Sequence, residues 1–322
     1  MPPQDALAAV AARPLDPAAH EALGDAWREA GDHALAQACY RGAHFLGGGT
    51  PALAVKLAVA LLHLGRVDAA RDLLATLEGV GGPDAAVVPQ LRSIADRTAA
   101  VPLASLDHNR FLRLRTVAAE IRRLVGTPPA AVVDVGGGDG ALAHFLPGDR
   151  YLLVEPQANG LSGLALPLAP ESADVVCACH VLEHIPAAGR DAFLDGLVGA
   201  ARRHVLLLGP FAAPGVDHAE RLRLIVALTG AGWAREHLEC GLPDLDGVRG
   251  YARRRGLAVD LRPHGAVGTT LTVTMMHHFA NLAGRSADAA RVGAYLNSLG
   301  EEHLTSPALP AAWLVRLDKE RS

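Results

Sequence analysis

Lysine is all but missing from this chain: among 322 residues only Lys56 and Lys319 occur, and arginine carries the rest of the positive charge. With 30 basic and 34 acidic side chains the formal net charge is −4, which leaves no footprint for nucleic acid or an anionic membrane surface. Cysteine is equally sparse. Cys39, Cys177, Cys179 and Cys240 are too few and too scattered for a disulfide framework. Cys177 and Cys179, two apart on a strand, share one face as core thiols, and a reducing, cytoplasmic setting is expected. No run of ~18 apolar residues occurs, so no membrane span is expected. Met1-Pro2-Pro3-Gln4-Asp5 lacks both the basic start and the apolar core of a secretory leader. Alanine and glycine are what the chain has in plenty. Half of the residues are hydrophobic and a fifth charged, enough for a sizeable core, and the length predicts about two domains.

The first of these carries an internal repeat. Leu23, Gly24, Trp27 and Gly31, then Ala36, Tyr40 and Ala43, are matched ~34 residues on by Leu57, Ala58, Leu61, Gly65, Ala70, Leu74 and Leu77. Small residues let paired helices approach, large ones fill the gap, and glycine ends the first helix of each pair. The pattern resembles the tetratricopeptide repeat over two units, with Asp5 to Arg13 as a capping half-repeat. That resemblance implies a small all-α domain over residues 1–82. It either packs on the rest of the chain, supporting it or a homodimer, or offers a groove to a protein partner; both readings stand. Gly79-Val80-Gly81-Gly82-Pro83-Asp84 breaks the helical pattern and opens a linker over 83–106. An arginine-rich helix from Asp107 to Leu124 then begins the second domain, 107–322.

That domain opens on its most informative stretch, Val132-Val133-Asp134-Val135-Gly136-Gly137-Gly138-Asp139-Gly140. The β-branched run predicts a buried parallel strand. Three glycines then let the backbone turn and approach a ligand closely, because no Cβ intrudes. Ala141 to Leu146 predicts a helix whose N-terminus points back at the turn. Tyr151-Leu152-Leu153-Val154-Glu155 reads as a second strand ending in a carboxylate, about 20 residues downstream, where such folds place an acid on ribose hydroxyls. Leu164 to Leu168 reads as a third strand, Ser172 to Cys179 as a fourth and His204 to Phe211 as a fifth. The sheet is expected to finish with an antiparallel pair, Leu257 to Leu261 and Thr269 to Met276, and His277 and His278 follow as structural residues.

The Val-Val-Asp-Val-Gly-Gly-Gly-Asp-Gly turn, the Leu-Val-Glu-Pro strand end and the Ser-Ala-Asp-Val-Val-Cys-Ala-Cys-His-Val-Leu-Glu-His-Ile block together resemble class I S-adenosylmethionine-dependent methyltransferases, over Asp107 to Phe279. The resemblance implies a doubly wound Rossmann-like α/β sheet with S-adenosylmethionine as cofactor. Gly136, Gly137 and Gly138 would contact its amino-acid and ribose parts, Asp134 would orient the loop, and Glu155 would bind the ribose. Ser162 stands where relatives commonly have an aspartate at the adenine. Gly136-x-Gly138-x-x-Ala141 also fits a dinucleotide fingerprint, but the Leu-Glu-His block has no counterpart in dehydrogenases.

His180 is expected at the C-terminal end of a strand, where ligands bind in open α/β sheets, lining the cofactor or holding the loop. Glu183 suits a helix first turn, and His184 reads as structural. The Glu236-His237-x-x-x-Gly241-Leu242-Pro243 string resembles one in methyltransferases of bacterial glycan biosynthesis, in the segment that covers the substrate. His237, with His218 as second choice, is the expected general base, since a neutral imidazole can take a hydroxyl proton; helix capping is the alternative. No metal site is expected. The implied substrate is a sugar, glycan or other small metabolite, with a protein methyltransferase and a non-catalytic interaction protein as alternatives.

Overall fold

The structure, a computed structural model, describes residues 3–78, 86–212 and 217–319. The expected linker Gly79 to Asp84 lies outside them. In chain order come α1 (Gln4–Ala12), α2 (Pro17–Glu29), α3 (His33–Phe45), α4 (Pro51–His63), α5 (Val67–Ala75), α6 (Val88–Arg97) and α7 (His108–Val125). Next are β1 (Ala131–Val135), β2 (Arg150–Val154), the four-residue α8 (Pro156–Asn159), β3 (Ala173–Cys179), α9 (Arg190–Ala200) and β4 (Ala201–Gly209). The chain continues through α10 (His218–Thr229), α11 (Gly232–Cys240), α12 (Leu245–Arg255), β5 (Leu257–His264), α13 (Val267–Leu282), α14 (Ser286–Asn297) and β6 (Ala312–Lys319). These fall into two compact units: Met1–Pro102 with Val125–Ala173, and Leu103–Leu124 with Asp174–Ser322.

In the first unit α2, α3 and α4 start where the sequence supplies caps. Asp16 accepts from Ala18 N at 3.0 Å with Pro17 opening α2. Asp32 accepts from Leu35 N at 3.0 Å and Thr50 from Leu53 N at 3.1 Å, each satisfying an otherwise orphaned amide. Gly24 makes room between α2 and α3: a Cβ there would sit 2.5 Å from Tyr40 Cε1, and the Tyr40 hydroxyl donates to Asp25 at 2.9 Å. Leu61, Leu74, Leu91 and Ala95 join α4, α5 and α6 in one apolar cluster. β1 and β2 pair in parallel from Ala131↔Arg150 to Val135↔Val154, with the glycine turn between them, the Rossmann-like element expected.

Two expectations fail here. The helix after the turn is a single 3₁₀ stretch, Ala141–Phe145, because Pro147 and Gly148 stop it. Leu164 to Leu168 is no strand: Ser162 Oγ accepts from Leu164 N at 3.2 Å and caps a short 3₁₀ turn, Gly163–Ala165, and Pro167 has no N–H for a ladder. α3 provides cover instead. It packs along β2, where a Cβ on Gly42 would lie 3.3 Å from Leu152 Cδ1.

In the second unit β3 neighbours β4, and β6 lies between β4 and β5. β6 is antiparallel to both, in registers that include Leu206↔Arg316 and Val259↔Leu317. The antiparallel ending is therefore present, but its partner was misassigned: Thr269 to Met276 lies in helix α13. Its β-branched residues favour a strand by propensity, yet a helical spacing wins. Leu271 and Met275, four apart, meet the Leu222–Ile225–Ala234 cluster. Thr270 and Thr274 share another face, where Thr274 Oγ1 donates to Thr270 O at 2.8 Å. His277 and His278 accordingly sit on a helix, His277 Nε2 being 3.4 Å from Asp107. Beneath α7, buried Glu120 gathers Arg123, Arg262 and Arg316.

Candidate functional site

The glycine turn is built from its strands upward. Asp134, 1% exposed near the end of β1, accepts the Tyr151 hydroxyl at 2.6 Å. Gly137 lies directly over that carboxylate. A Cβ there would fall 2.2 Å from Asp134 Oδ2 and 2.9 Å from Leu153 Cδ1, so no side chain fits. Gly138 has φ +63 and nothing within 4 Å of where a Cβ would be, leaving backbone open to an approaching ligand. Its amide donates to Glu155 Oε2 at 3.2 Å, while Gln157 N reaches Oε1 at 3.5 Å. Glu155 thus ends β2, caps α8 and stands against the turn, half-buried. A carboxylate held in this way beside bare backbone suits a ligand that offers vicinal hydroxyls. Of the expected cofactor residues, Asp134, Gly136, Gly137, Gly138, Glu155 and Ser162 all belong to this unit.

Three residues that shape the turn were not singled out from the sequence. Tyr151 is one. Asn159, buried at the end of α8, is the second. Its Nδ2 donates to Leu153 O at 2.6 Å, while its Oδ1 accepts from Glu155 N at 3.1 Å and Leu161 N at 3.2 Å, fixing the course of the chain around Glu155. Arg41 of α3 is the third. Its guanidinium donates to the carbonyls of Ala143, Leu146 and Asp149 at 2.7, 2.7 and 2.6 Å. Ala143 O and Leu146 O also accept from Leu146 N at 3.2 Å and Asp149 N at 3.3 Å, so the guanidinium adds a second, shorter bond at the end of the 3₁₀ stretch. Burial lowers the Arg41 pKa to about 10. No sequence signal marks this role, since the acceptors lie 102 to 108 residues further on.

The second unit holds the remaining site residues. His180, just past β3, adopts φ +60, a region uncommon for residues other than glycine. It is held there by its amide, 2.6 Å from Leu208 O, and its Nδ1 lies 2.9 Å from Glu183 Oε1. Burial pushes the His180 imidazole pKa down, against the pull of Glu183. Glu183 is 1% exposed; burial opposes its charge, yet His180 holds its carboxyl below the usual range. His237 of α11 places Nε2 3.1 Å from His184 Nε2 and 3.9 Å from Glu183 Oε1. His184 Nδ1 is 2.9 Å from Glu236 Oε2. The two Glu-His pairs in the sequence therefore interlock.

His218 is placed elsewhere in the unit, at the start of α10. Its Nδ1 accepts from Arg221 at 3.0 Å. Burial, then the Arg221 cation, lower its pKa to about 4; burial brings His237 to about 4 as well, with Glu183 opposing. Both imidazoles are neutral at pH 7. Arg190 staples the two segments of the cluster, donating to Ile185 O at 3.0 Å, to Cys240 O at 3.2 Å and to Gly241 O.

No family model and no curated protein matches the chain. Among solved structures it is similar to the YcgJ protein from Bacillus subtilis, with 15% identity, 64% of this chain and 99% of that one covered, and a TM-score of 0.39. It is similar to a Haemonchus contortus phosphoethanolamine N-methyltransferase bound to phosphomonomethylethanolamine and S-adenosylhomocysteine, with 13% identity, 63% and 52% covered, and a TM-score of 0.40. A third is magnesium protoporphyrin IX methyltransferase from Synechocystis with bound S-adenosylhomocysteine, with 14% identity, 64% and 82% covered, and a TM-score of 0.38. No described helix is long and apolar enough to cross a membrane.

Proposed function

We propose that the chain is an S-adenosylmethionine-dependent methyltransferase acting on a hydroxyl of a sugar or other small metabolite. The carrying observation is the pairing of bare backbone at Gly138 with Glu155 Oε2, 3.2 Å from its amide. There Glu155 would hold the ribose hydroxyls and the Gly136–Gly138 backbone would admit the amino-acid end. Asp134 would fix the loop from below, and Ser162 would border the adenine. When bound, the cofactor supplies an activated methyl group, so the protein's work is binding, in-line orientation and the fate of the acceptor's proton. We assign that proton to His237 before His218, because His237 has Glu183 nearby to stabilise an imidazolium whereas His218 faces the Arg221 guanidinium. His180, strained at its strand end, is assigned to the cofactor. We further propose that residues 1–82 form a tetratricopeptide-like support and that 107–322 carry the chemistry, with α3 against β2 favouring support over partner recruitment.

Calorimetry with S-adenosylmethionine, S-adenosylhomocysteine and NAD tests the cofactor, and transfer of an isotopically labelled methyl group to a metabolite fraction tests the reaction. Binding of NAD in preference to the other two would reject the reading.

A further inference from the structure

We propose that Glu183, His184 and His237 bind a divalent transition-metal ion, with zinc the best match to their donors. One carboxylate oxygen and two imidazole nitrogens are the ligand set of zinc sites that keep a fourth position open. The three donor atoms lie within 4.8 Å of one another. The 3.1 Å between His184 Nε2 and His237 Nε2 is what two bonds of ~2.0–2.1 Å to one ion span at roughly 100°, close to tetrahedral. Glu183 Oε1 is 3.9 Å from His237 Nε2, and the widest spacing in the cluster, within 4.8 Å, exceeds the ~4.1 Å that two such bonds can span, so the carboxylate closes in by several tenths of an ångström when the ion binds.

Two further observations point the same way. Glu183 Oε1 is buried, and imidazole nitrogens face it, His180 Nδ1 at 2.9 Å and His237 Nε2 at 3.9 Å. A carboxylate in a protein interior is costly unless a cation faces it, and a metal ion can be that cation. Glu236, 2.9 Å from His184 Nδ1, draws that ring's proton to Nδ1. It leaves the Nε2 lone pair facing the cluster, which is how carboxylates orient metal-binding imidazoles. The Arg190 staple holds both segments in place, and His184, with 30% of its side chain exposed, leaves one side of the cluster open. The inference stands apart from methyl transfer. Zinc at His237 Nε2 takes the lone pair a proton would otherwise take, so metal content also decides how that atom is used.

Full-length protein stripped with chelator is titrated with Zn²⁺ against a fluorescent zinc chelator, without S-adenosylmethionine. One tight site per chain is expected, weakened at least ~100-fold in His184→Ala and in His237→Gln, and ~10-fold in Glu236→Gln, which only orients a ligand. Thermal melts establish that the stripped variants are folded; zinc should raise the melting temperature of the wild type and not of His184→Ala. Should the variants not fold, the cobalt-loaded wild type decides, a tetrahedral ligand-field spectrum supporting the site and its absence overturning it. Equal zinc affinity in the wild type and His184→Ala, meaning adventitious binding at other histidines, also overturns it. Cofactor calorimetry on stripped protein is separate and bears only on methyl transfer.

Discussion

The hydroxyl of Tyr151 donates to Asp134 at 2.6 Å, tying the second strand to the first directly beneath the glycine turn. Asp134 fills the space a Gly137 side chain would need, so the turn's shape rests on this pair. Gly137→Ala is expected to displace the carboxylate and cost at least tenfold in S-adenosylmethionine affinity. Tyr151→Phe, which leaves the carboxylate in place and removes one hydrogen bond to it, should have a smaller effect of the same sign. Calorimetry on folded variants measures both, and unchanged affinity in Gly137→Ala would place the cofactor elsewhere.

Glu155→Ala removes the carboxylate that meets the Gly138 amide. Cofactor affinity should fall by ~1.5–3 kcal/mol while the melting temperature moves little, because Glu155 caps only a four-residue helix. A large loss of stability with affinity retained would make Glu155 a structural cap.

Arg41→Met deletes the donor to three carbonyls while keeping an apolar side chain of similar length. Unfolding free energy is expected to drop by ~1.5–3 kcal/mol, as the charge-assisted hydrogen bonds are lost while Ala143 O and Leu146 O keep their backbone donors. Chemical denaturation reads this directly, and a change below ~1 kcal/mol would mean water replaces the guanidinium.

Glu120 supplies a pH test. Burial opposes its charge, but Arg123, Arg262 and Arg316 prevail and hold its pKa at about 2. A carboxyl depressed on folding stabilises the native state above its unfolded pKa of ~4.3, and the contribution is lost as pH falls through the folded value. The stability gap between wild type and Glu120→Gln should therefore be ~2–3 kcal/mol near neutrality and close progressively between about pH 4.5 and pH 2. Urea melts across that range check it; a gap independent of pH would make the loss one of packing.

What could be read from the sequence was local. The strands on either side of the glycine turn, and Glu155 at a strand end, each follow from a few adjacent residues. Thr269 to Met276 misled because β-branched residues favour a strand until the i, i+4 contacts of Leu271 and Met275 outweigh them. Arg41 and Asn159 were illegible for a different reason: the carbonyls they satisfy are defined only once distant segments meet. The interlock of Glu183-His184 with Glu236-His237 was half visible as two repeated dipeptides, and their meeting depends on the Arg190 staple, which no spacing announces.

The pairing of α3 with β2 also has a cost in time. Arg41 and the Asp149 carbonyl it holds are 108 residues apart. At ~5–20 residues per second of synthesis, α3 leaves the ribosome roughly 5–20 s before its acceptor strand exists. During that interval the nascent helices have only each other. The Gly24–Tyr40 interlock, formed by residues close in sequence, gives α2 and α3 a way to hold their shape early, and to keep the surface that later covers β2 from engaging other chains while it waits.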